Sequence, residues 1–175
     1  MTNTKSSKQW DDVVGIDSDN IIDHYDPEIV DCLFKRYEII KEHCEDINPN
    51  VLLILEDIID DPILRNDDSL ISIFTRGRWS RIGIILSTQY LNAVNPLLRN
   101  NADIIICTIQ KSLQSREILC DAYGGLLVKK NFFKLLNDYT NDYMVFIIRN
   151  DKNTNNPELL YQWDKVTKNI KNIDV

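Results

Sequence analysis

Two apolar runs, each followed by polar side chains, constrain the fold of this chain more than any other feature. Residues 51–55 are all Val, Leu or Ile and lead into Glu56 and Asp57, while residues 83–86 lead through Ser and Thr into Gln89. Apolar runs without polar alternation are typical of strands covered on both faces, as in a parallel sheet. An open α/β sheet presents its ligand site where such strands end. The sequence therefore predicts that acids and a glutamine meet at one edge of a sheet.

The composition is that of a globular chain with an acidic balance. Of 175 residues, 43% are hydrophobic, which is enough to bury a substantial core. The 27 acidic and 20 basic residues give a net charge of -7, which excludes a domain whose whole surface is a nucleic-acid footprint. Any contact with DNA must be local. Basic residues gather at 76–81 and 129–134, although clusters of this size are usually solvated faces.

The spacing of the cysteines argues against a zinc site, and the lack of long apolar runs argues against a membrane-spanning or secreted chain. Cys32, Cys44, Cys107 and Cys120 include no Cys-x-x-Cys pair, and the two histidines add no zinc-ligand spacing. We expect reduced, partly buried thiols in an intracellular protein. No apolar run approaches the ~20 residues that span a bilayer, and residues 1–9 lack the apolar core of a secretion signal. The sequence predicts a soluble, non-secreted protein with no membrane partner.

The first hundred residues are predicted to be a tail followed by alternating helices and strands. Residues 1–20 should form the tail and an edge segment. A helix should then begin with Asp26 as its N-cap and Pro27 at its first position, and continue to Asp46. After the first apolar strand, a short helix over residues 66–75 should return the chain to the start of the second strand.

The rest of the chain continues this alternation and ends in a hairpin. The predicted elements are a third apolar strand over 103–108, helices over 112–123 and 129–138, and antiparallel strands over 143–148 and 159–163. Helices alternating with buried strands predict an α/β fold with helices on both faces of the sheet. No internal repeat or second domain is visible, so residues 21–175 are predicted to form a single domain.

A strand that ends in two carboxylates suits hydrolysis of a nucleoside triphosphate, because the two acids have separable roles. Glu56 would hold Mg²⁺ through water, and Asp57 would polarise the attacking water. Asp60 and Asp61 would add to the negative pocket or merely solvate the loop. The alternative is that acids end this strand only because the chain reaches solvent there.

Gln89 and a group of arginines are the other candidates for the site. A carboxamide at Gln89 can orient water or contact a γ-phosphate without adding charge, or it is an ordinary surface glutamine. Arg76, Arg78 and Arg81 lie just before the second strand. A guanidinium there could neutralise phosphate charge in cis or across a subunit boundary, or complement a helix C-terminus. We expect Trp79 to be a packing anchor rather than a platform for stacking bases.

These elements, taken in order, resemble the core of the FtsK/HerA superfamily. They look closest to the genome-packaging ATPases of nucleocytoplasmic large DNA viruses, the poxvirus and giant-virus type. The resemblance rests on residues 52–57, 76–78 and 83–89, where an apolar strand ends in an acid pair, a Gly-Arg follows, and Thr-Gln closes the next strand. The helix start at 25–29 is also similar. The resemblance implies a three-layer, P-loop NTPase-like fold of RecA/FtsK type with a mainly parallel sheet.

The resemblance also assigns roles to individual residues. Glu56 and Asp57 match the Walker B pair, Gln89 the sensor, and Arg78 the arginine of the Gly-Arg, as a trans-acting finger. ATP and Mg²⁺ are the implied cofactors, with double-stranded DNA and a homo-oligomeric ring as partners. The implied location is the host cytoplasm, the viral factory or the virion. Glu56 departs from the pattern, since the first Walker B acid is normally Asp.

One part of the family pattern has no match in these 175 residues. The Gly-x-x-x-x-Gly-Lys-Thr loop, Walker A, is missing, because none of the five glycines is followed by Lys. Without its N–H groups and lysine the triphosphate loses its cradle, so we expect weak or no ATP hydrolysis by this chain alone. The expected fold is thus incomplete at its N-terminus. The chain is then the C-terminal part of a split or truncated ATPase, or a P-loop-containing partner chain supplies the loop.

Two other functions fit the sequence. The chain could be a catalytically inactive α/β remnant that acts as an interaction module with a full-length ATPase. A receiver-like signalling domain fits less well, because it needs an isolated acid at a strand end and a lysine after a later strand. Lys111 offers only a loose match to that lysine.

Overall fold

The computed structural model describes residues 15–22, 24–44, 46–56, 67–125 and 127–166. The chain forms two compact units, of which the first ends at Asn101 and the second begins at Ala102. The predictions for residues 1–14, and those for Asp57, Asp60 and Asp61, lie outside the described residues. The expectation of a single domain stays a prediction. No helix in the described part of the chain is long and apolar enough to cross a membrane.

The first helix, α1, spans Pro27–His43 and begins as the sequence predicts. The side chain of Asp26 accepts a hydrogen bond of 2.9 Å from the backbone N–H of Glu28, which satisfies one of the free donors of the first turn. Pro27 occupies the first helical position, where its missing N–H leaves no hydrogen bond unmade. The helix ends slightly before the predicted Asp46.

Two parallel strands and a returning helix form the centre of the first unit. Strand β1, Val51–Glu56, pairs along its whole length with β2, Ile82–Ser87. Helix α2, Asp68–Arg76, and a 3-10 turn, Gly77–Ser80, carry the chain back from the end of β1 to the start of β2. The predicted parallel pair with a short helix between its strands is therefore confirmed.

The core of the first unit lies on one face of these strands. Helices α1 and α2 contribute to it, as does α3, Pro96–Asn101. Its buried residues are Tyr25, Val30, Leu53, Leu55, Leu70, Ile73, Ile82, Val94 and Leu98.

The opposite face of the strand pair is open. Leu52 is 57% exposed and Ile85 is 51% exposed. Successive side chains of a strand point to opposite faces, and the described helices of this unit contribute to the cluster on the Leu53 and Leu55 side. The expectation that β1 is covered on both faces therefore holds for one face only.

The second unit contains a three-stranded antiparallel sheet. Its strands are β3, Ile104–Cys107, β4, Met144–Arg149, and β5, Tyr161–Lys165, in the order β3-β4-β5. Helices α4, Leu113–Tyr123, and α5, Lys129–Asp138, follow β3, and the short α6, Pro157–Leu160, precedes β5. The predicted pairing of the last two strands is confirmed. Because β3 pairs antiparallel with β4, the fold is mixed α/β rather than mainly parallel.

Aromatic rings build the core of the second unit. Phe132 of α5 meets Phe146 of β4 and Tyr161 of β5 edge to face, with ring centroids 5.8 and 6.0 Å apart. Such pairs contribute about 0.5–1.5 kcal/mol each beyond the burial of their area. The hydroxyl of Tyr161 donates a hydrogen bond of 2.8 Å to the carbonyl of Tyr123 at the end of α4. Both long helices of this unit are thereby tied to the sheet.

Candidate functional site

The carboxyl ends of β1 and β2 bring two predicted site residues to one edge. Glu56, the last residue of β1, is the register partner of Ser87, the last residue of β2. Gln89 follows Ser87 by two positions and is exposed, whereas Glu56 is half-buried. A carboxylate and a carboxamide therefore lie at the edge where open α/β sheets hold ligands, as the sequence predicts.

Hydrogen bonds hold the segment that carries Gln89. The hydroxyl of Thr88 accepts a bond of 3.0 Å from the backbone N–H of Tyr90, a local turn that threonine commonly forms. A 3-10 turn, Leu91–Ala93, follows, and the N–H of Ala93 donates to the carbonyl of Tyr90 over 3.0 Å. Gln89 thus sits in a turn whose backbone is fixed on its carboxyl side.

Asp67, the first described residue after β1, links the beginnings of two helices. One oxygen of this carboxylate accepts from the N–H of Ser69 over 3.0 Å and caps α2. The other accepts a hydrogen bond from the hydroxyl of Tyr25. Ser69 also donates from its hydroxyl to Asp31 over 3.2 Å. The start of α2 is therefore tied to the start of α1.

Burial and the neighbouring carboxylate raise the pKa of Tyr25 well above its usual range. The ring is only 5% exposed, and an ionised phenol beside Asp67 would place two negative charges in contact. Sequence reasoning missed this pair because 42 residues separate its members. The sequence contained one signal of the role of Asp67. It lies next to the predicted helix start at 66, and aspartate is a common N-cap residue.

Acids collect around this end of the first unit. The first turns of α1 and α2 carry Glu28 and Asp68, and Glu56 closes β1. In the described part of the chain, no three Asp, Glu, His or Cys side chains are grouped so that they could hold a metal ion.

Arg78 lies at the other end of the same strands. It belongs to the 3-10 turn that leads into β2, and the carbonyl of Arg81 accepts from the N–H of Val51, the first residue of β1, over 3.0 Å. Glu56 is five residues further along β1, about 17 Å at the rise of an extended strand. An arginine side chain does not span that distance. Arg78 and Glu56 of one chain are therefore not brought together.

The neighbours of Arg78 have different surroundings. Arg76 turns back onto its own unit, with its guanidinium 2.9 Å from the Ser72 hydroxyl and 5.8 Å from the centroid of the Phe34 ring. Trp79 is 82% exposed, so the expectation that it anchors the packing of this chain is wrong. A tryptophan in a short turn between two elements is a weak predictor of burial, because the turn itself lies at the surface.

Comparison of the sequence with other proteins found relatives in iridescent and frog viruses. No protein-family model matches the chain. It is 29% identical over 146 residues to the uncharacterized protein 075L of Invertebrate iridescent virus 6, covering 82% of this chain and 56% of that protein. It is 26% identical over 141 residues to the uncharacterized protein 088R of Invertebrate iridescent virus 3, covering 80% and 53%. The chain thus spans about half the length of these curated relatives.

Comparison with solved structures found a genome-packaging NTPase, B204 of Sulfolobus turreted icosahedral virus 2. Its complex with AMPPCP matches with a TM-score of 0.56 at 16% identity, covering 81% of this chain and 65% of that one. Its complex with AMP matches with a TM-score of 0.57 at 13% identity, covering 83% and 65%. At such identities the match shows the fold alone. Over about four fifths of its length, the chain has a fold similar to that of a viral genome-packaging NTPase.

Proposed function

We propose that the chain carries the Walker B and sensor half of a viral DNA-packaging ATPase. The ATPase would couple hydrolysis of ATP to translocation of double-stranded genomic DNA into capsids. Glu56 would hold Mg²⁺ through water, Asp57 would act as the base, and Gln89 would sense the γ-phosphate. Residues 21–175 would act as one α/β domain of this machine.

The observation that carries the proposal is the register of β1 against β2. It sets Glu56 opposite Ser87 and leaves Gln89 two residues beyond the same edge. The fold in which this occurs is similar to that of B204, a packaging NTPase whose structures include complexes with AMPPCP and AMP. An acid and a carboxamide at one edge are the groups that metal-bound phosphate chemistry uses.

Arg78 would act in trans. Because it lies about 17 Å of strand away from Glu56 in its own chain, a finger role requires the nucleotide of a neighbouring subunit. An arginine supplied in trans can contribute ~10³-fold or more to the rate of hydrolysis. This favours a homo-oligomeric ring with nucleotide at the subunit boundaries and DNA in the central channel.

The phosphate loop would come from residues outside these 175, either in a longer form of the chain or in a P-loop-containing partner. A Gly-Lys-Thr segment supplies the backbone N–H groups and the lysine that cradle a triphosphate. The helix that follows such a loop would also complete a three-layer arrangement by covering the open face around Leu52 and Ile85, which are 57% and 51% exposed.

A phosphate-release assay on the purified chain with Mg²⁺, ATP and duplex DNA tests whether hydrolysis needs a phosphate loop from outside these residues. We expect turnover close to the background of the Glu56→Gln variant, which serves as the matched control because it removes one charge at constant size. Ordinary ATPase turnover by the chain alone, lost in Glu56→Gln, would contradict the need for an external phosphate loop.

A second candidate function is an inactive interaction module that pairs with a full-length ATPase. The open face of β1 and β2 favours it, because large apolar side chains at 51–57% exposure are more often covered in an assembly. A complex with a P-loop-containing ATPase whose turnover is unchanged by Glu56→Gln and Gln89→Ala would support this function over the catalytic one.

A further inference from the structure

The second unit contains an open pocket that the proposed nucleotide site does not use. Its volume is about 520 Å³, within the range that is typical of ligand sites. The end of α5 lines it with Leu135 and Tyr139, α6 with Pro157, and β5 with Tyr161 and Trp163. All of these residues belong to the second unit. The pocket is therefore formed within one unit, and its walls are mainly aromatic and apolar.

The aromatic wall is the outer end of a ladder of four rings. Tyr161 stacks on Phe146 with ring centroids 5.8 Å apart, and Phe146 stacks on Tyr139 over 6.1 Å. Trp163 forms the last step, 5.9 Å from Tyr139. Phe146 is completely buried, whereas Trp163 is 55% exposed. The buried rings hold an exposed indole in place, and a surface that is ordered before binding loses less conformational entropy when a ligand arrives.

The pocket is negatively charged. Among the described residues that line it, Glu158 alone carries a charged side chain, and it lies exposed in the first turn of α6. The last turn of α5 carries Asp138 and no basic residue, so the partial negative charge of this helix end adds to that of Glu158. Aromatic faces beside a negative charge form the environment that binds an organic cation.

The strand that lines the pocket, β5, is at the edge of its sheet. Among the described strands it pairs with β4 alone. The N–H of Val166 donates to the carbonyl of Tyr143 over 2.9 Å. Because hydrogen-bonded pairs alternate along an antiparallel ladder, Trp163 directs its N–H and C=O away from β4. The backbone that faces outward therefore belongs to the residue whose side chain lines the pocket.

Local groups accept from the outward N–H groups on either side of Trp163. The N–H of Tyr161 donates to the carbonyl of Pro157, and that of Lys165 donates to the carboxylate of Asp164 over 2.7 Å. The position of Trp163 between them is thus the point of this edge at which another strand can form a pair of backbone hydrogen bonds.

We propose that the pocket binds an arginine side chain from an extended segment of another protein, which pairs with the edge of β5 at Trp163. Opposed residues of antiparallel strands lie on the same face of the sheet, so the side chain opposite Trp163 lies beside the indole. A guanidinium stacks on aromatic rings and donates in a planar fork to a carboxylate, here Glu158. This inference goes beyond the nucleotide site, whose described residues lie in the first unit.

A peptide fits this surface better than a small organic cation or a nucleic acid. The outward backbone at Trp163 is matched only by another backbone, and strand addition combines main-chain hydrogen bonds with a side-chain pocket that gives specificity. A small cation would use the aromatic wall and Glu158 alone. A phosphate backbone would meet negative charge.

An NMR titration of the whole chain with an acetylated and amidated peptide, Thr-Val-Arg-Val-Thr, tests the site. Threonine and valine favour an extended backbone. We expect saturable shifts that are largest at the backbone amide and the indole N–H of Trp163. The same peptide with citrulline in place of arginine is the matched ligand control, because citrulline keeps the shape and loses the charge. It should bind at least about tenfold more weakly.

Two substitutions test the pocket from the side of the protein. Trp163→Ala should weaken the arginine peptide by about tenfold or more, and Trp163→Phe, which keeps a ring in the ladder, should bind with intermediate affinity. Glu158→Gln should weaken binding by about threefold or more, and added salt should reduce this difference. Glu38→Gln is the matched control, because Glu38 is exposed on α1 in the first unit. It should bind the peptide as the unsubstituted chain does.

Three results would overturn the inference. Equal affinity for the arginine and citrulline peptides would show that the pocket does not select a cation. Equal affinity for the peptide and for N-acetylarginine amide would replace strand addition by a site for small cations. Binding that Trp163→Phe, Trp163→Ala and Glu158→Gln all leave unchanged would place the contact elsewhere. The nucleotide-site proposal would stand in each case, since ATP turnover tests it separately.

Discussion

Tyr25 donates a hydrogen bond to Asp67 and so ties the residue before the N-cap of α1 to the N-cap of α2, across 42 positions of sequence. Asp67 also caps α2 through Ser69, so one carboxylate joins the beginnings of the two helices. Asp67 is the first described residue after Glu56, the end of β1. The link couples the stability of the first unit to the position of its candidate site.

Tyr25→Phe should therefore destabilise the protein by about 1–3 kcal/mol, because the Asp67 side chain loses its hydrogen-bond donor from a buried residue. Urea unfolding followed by circular dichroism measures the change. Asp67→Ala removes the cap as well and should cost more. Equal stability of Tyr25→Phe and the unsubstituted chain would mean that the hydrogen bond contributes nothing.

The same pair predicts a loss of stability at alkaline pH. The pKa of Tyr25 is raised in the folded chain, first by burial and then by Asp67, so the folded state retains its proton where the unfolded chain releases it. The stabilisation is complete below the unfolded pKa of about 10 and is lost as the pH rises above it. Thermal unfolding between pH 8 and 11 should show a shallower decline in Tyr25→Phe, and identical slopes would contradict the shifted pKa.

Cysteine reactivity should separate the buried from the exposed thiols. Burial raises the pKa of Cys107 to about 12, whereas Cys32 is exposed. At pH 8, Cys107 should react with a disulfide reagent on the order of 10³-fold more slowly than a small-molecule thiol of ordinary cysteine pKa, because its thiolate fraction is smaller by about that factor. Cys107→Ser should abolish the slow phase, and a slow phase that persists would locate it elsewhere.

The two faces of β1 should differ in their sensitivity to truncation. Leu55 is completely buried, and Leu55→Ala should cost about 2–5 kcal/mol of unfolding free energy. Leu52 is 57% exposed in the same strand, and the same change there should cost less than about 1 kcal/mol. Equal costs would indicate that the open face is covered in the protein used for the measurement.

The sequence predicts the elements of this fold well, because their signals are local. The cap at Asp26, the stop after Tyr123 and the apolar runs of β1 and β2 are each set by side chains within a few residues. The direction in which a strand pairs is not determined by residues close to it in the sequence. The run at 103–108 predicts a strand, but its antiparallel pairing with β4 depends on a partner some 40 residues away.

The candidate site, too, contains features that the sequence predicts and features that it does not. That Glu56 and Gln89 share an edge follows from two parallel strands, which the sequence predicts. The separation of Arg78 from them follows from the length of β1 and the place of the turn, which a motif in sequence order does not show. The exposure of Trp79 depends on which residues pack around its turn. The hydrogen bond from Tyr25 to Asp67 depends on how the beginnings of two helices meet. Neither is visible in the local sequence.

Subunit mixing should reveal whether Arg78 acts in trans. With a phosphate loop supplied, Arg78→Ala and Glu56→Gln chains should each be inactive. An equimolar mixture places an intact Arg78 beside an intact Glu56 at about a quarter of the boundaries of a random ring, so about that share of turnover should return. Mixtures that stay inactive would argue against a shared site.

The central claim is that Glu56 and Gln89 form half of an ATP site. Its most direct test is ATP turnover by this chain with a Gly-x-x-x-x-Gly-Lys-Thr segment supplied, either in a longer form of the chain or in a partner polypeptide. We predict Mg²⁺-dependent turnover that the 175-residue chain does not show alone, reduced by about 10²-fold or more in Glu56→Gln and in Gln89→Ala. Turnover that is unchanged by both substitutions would contradict the claim.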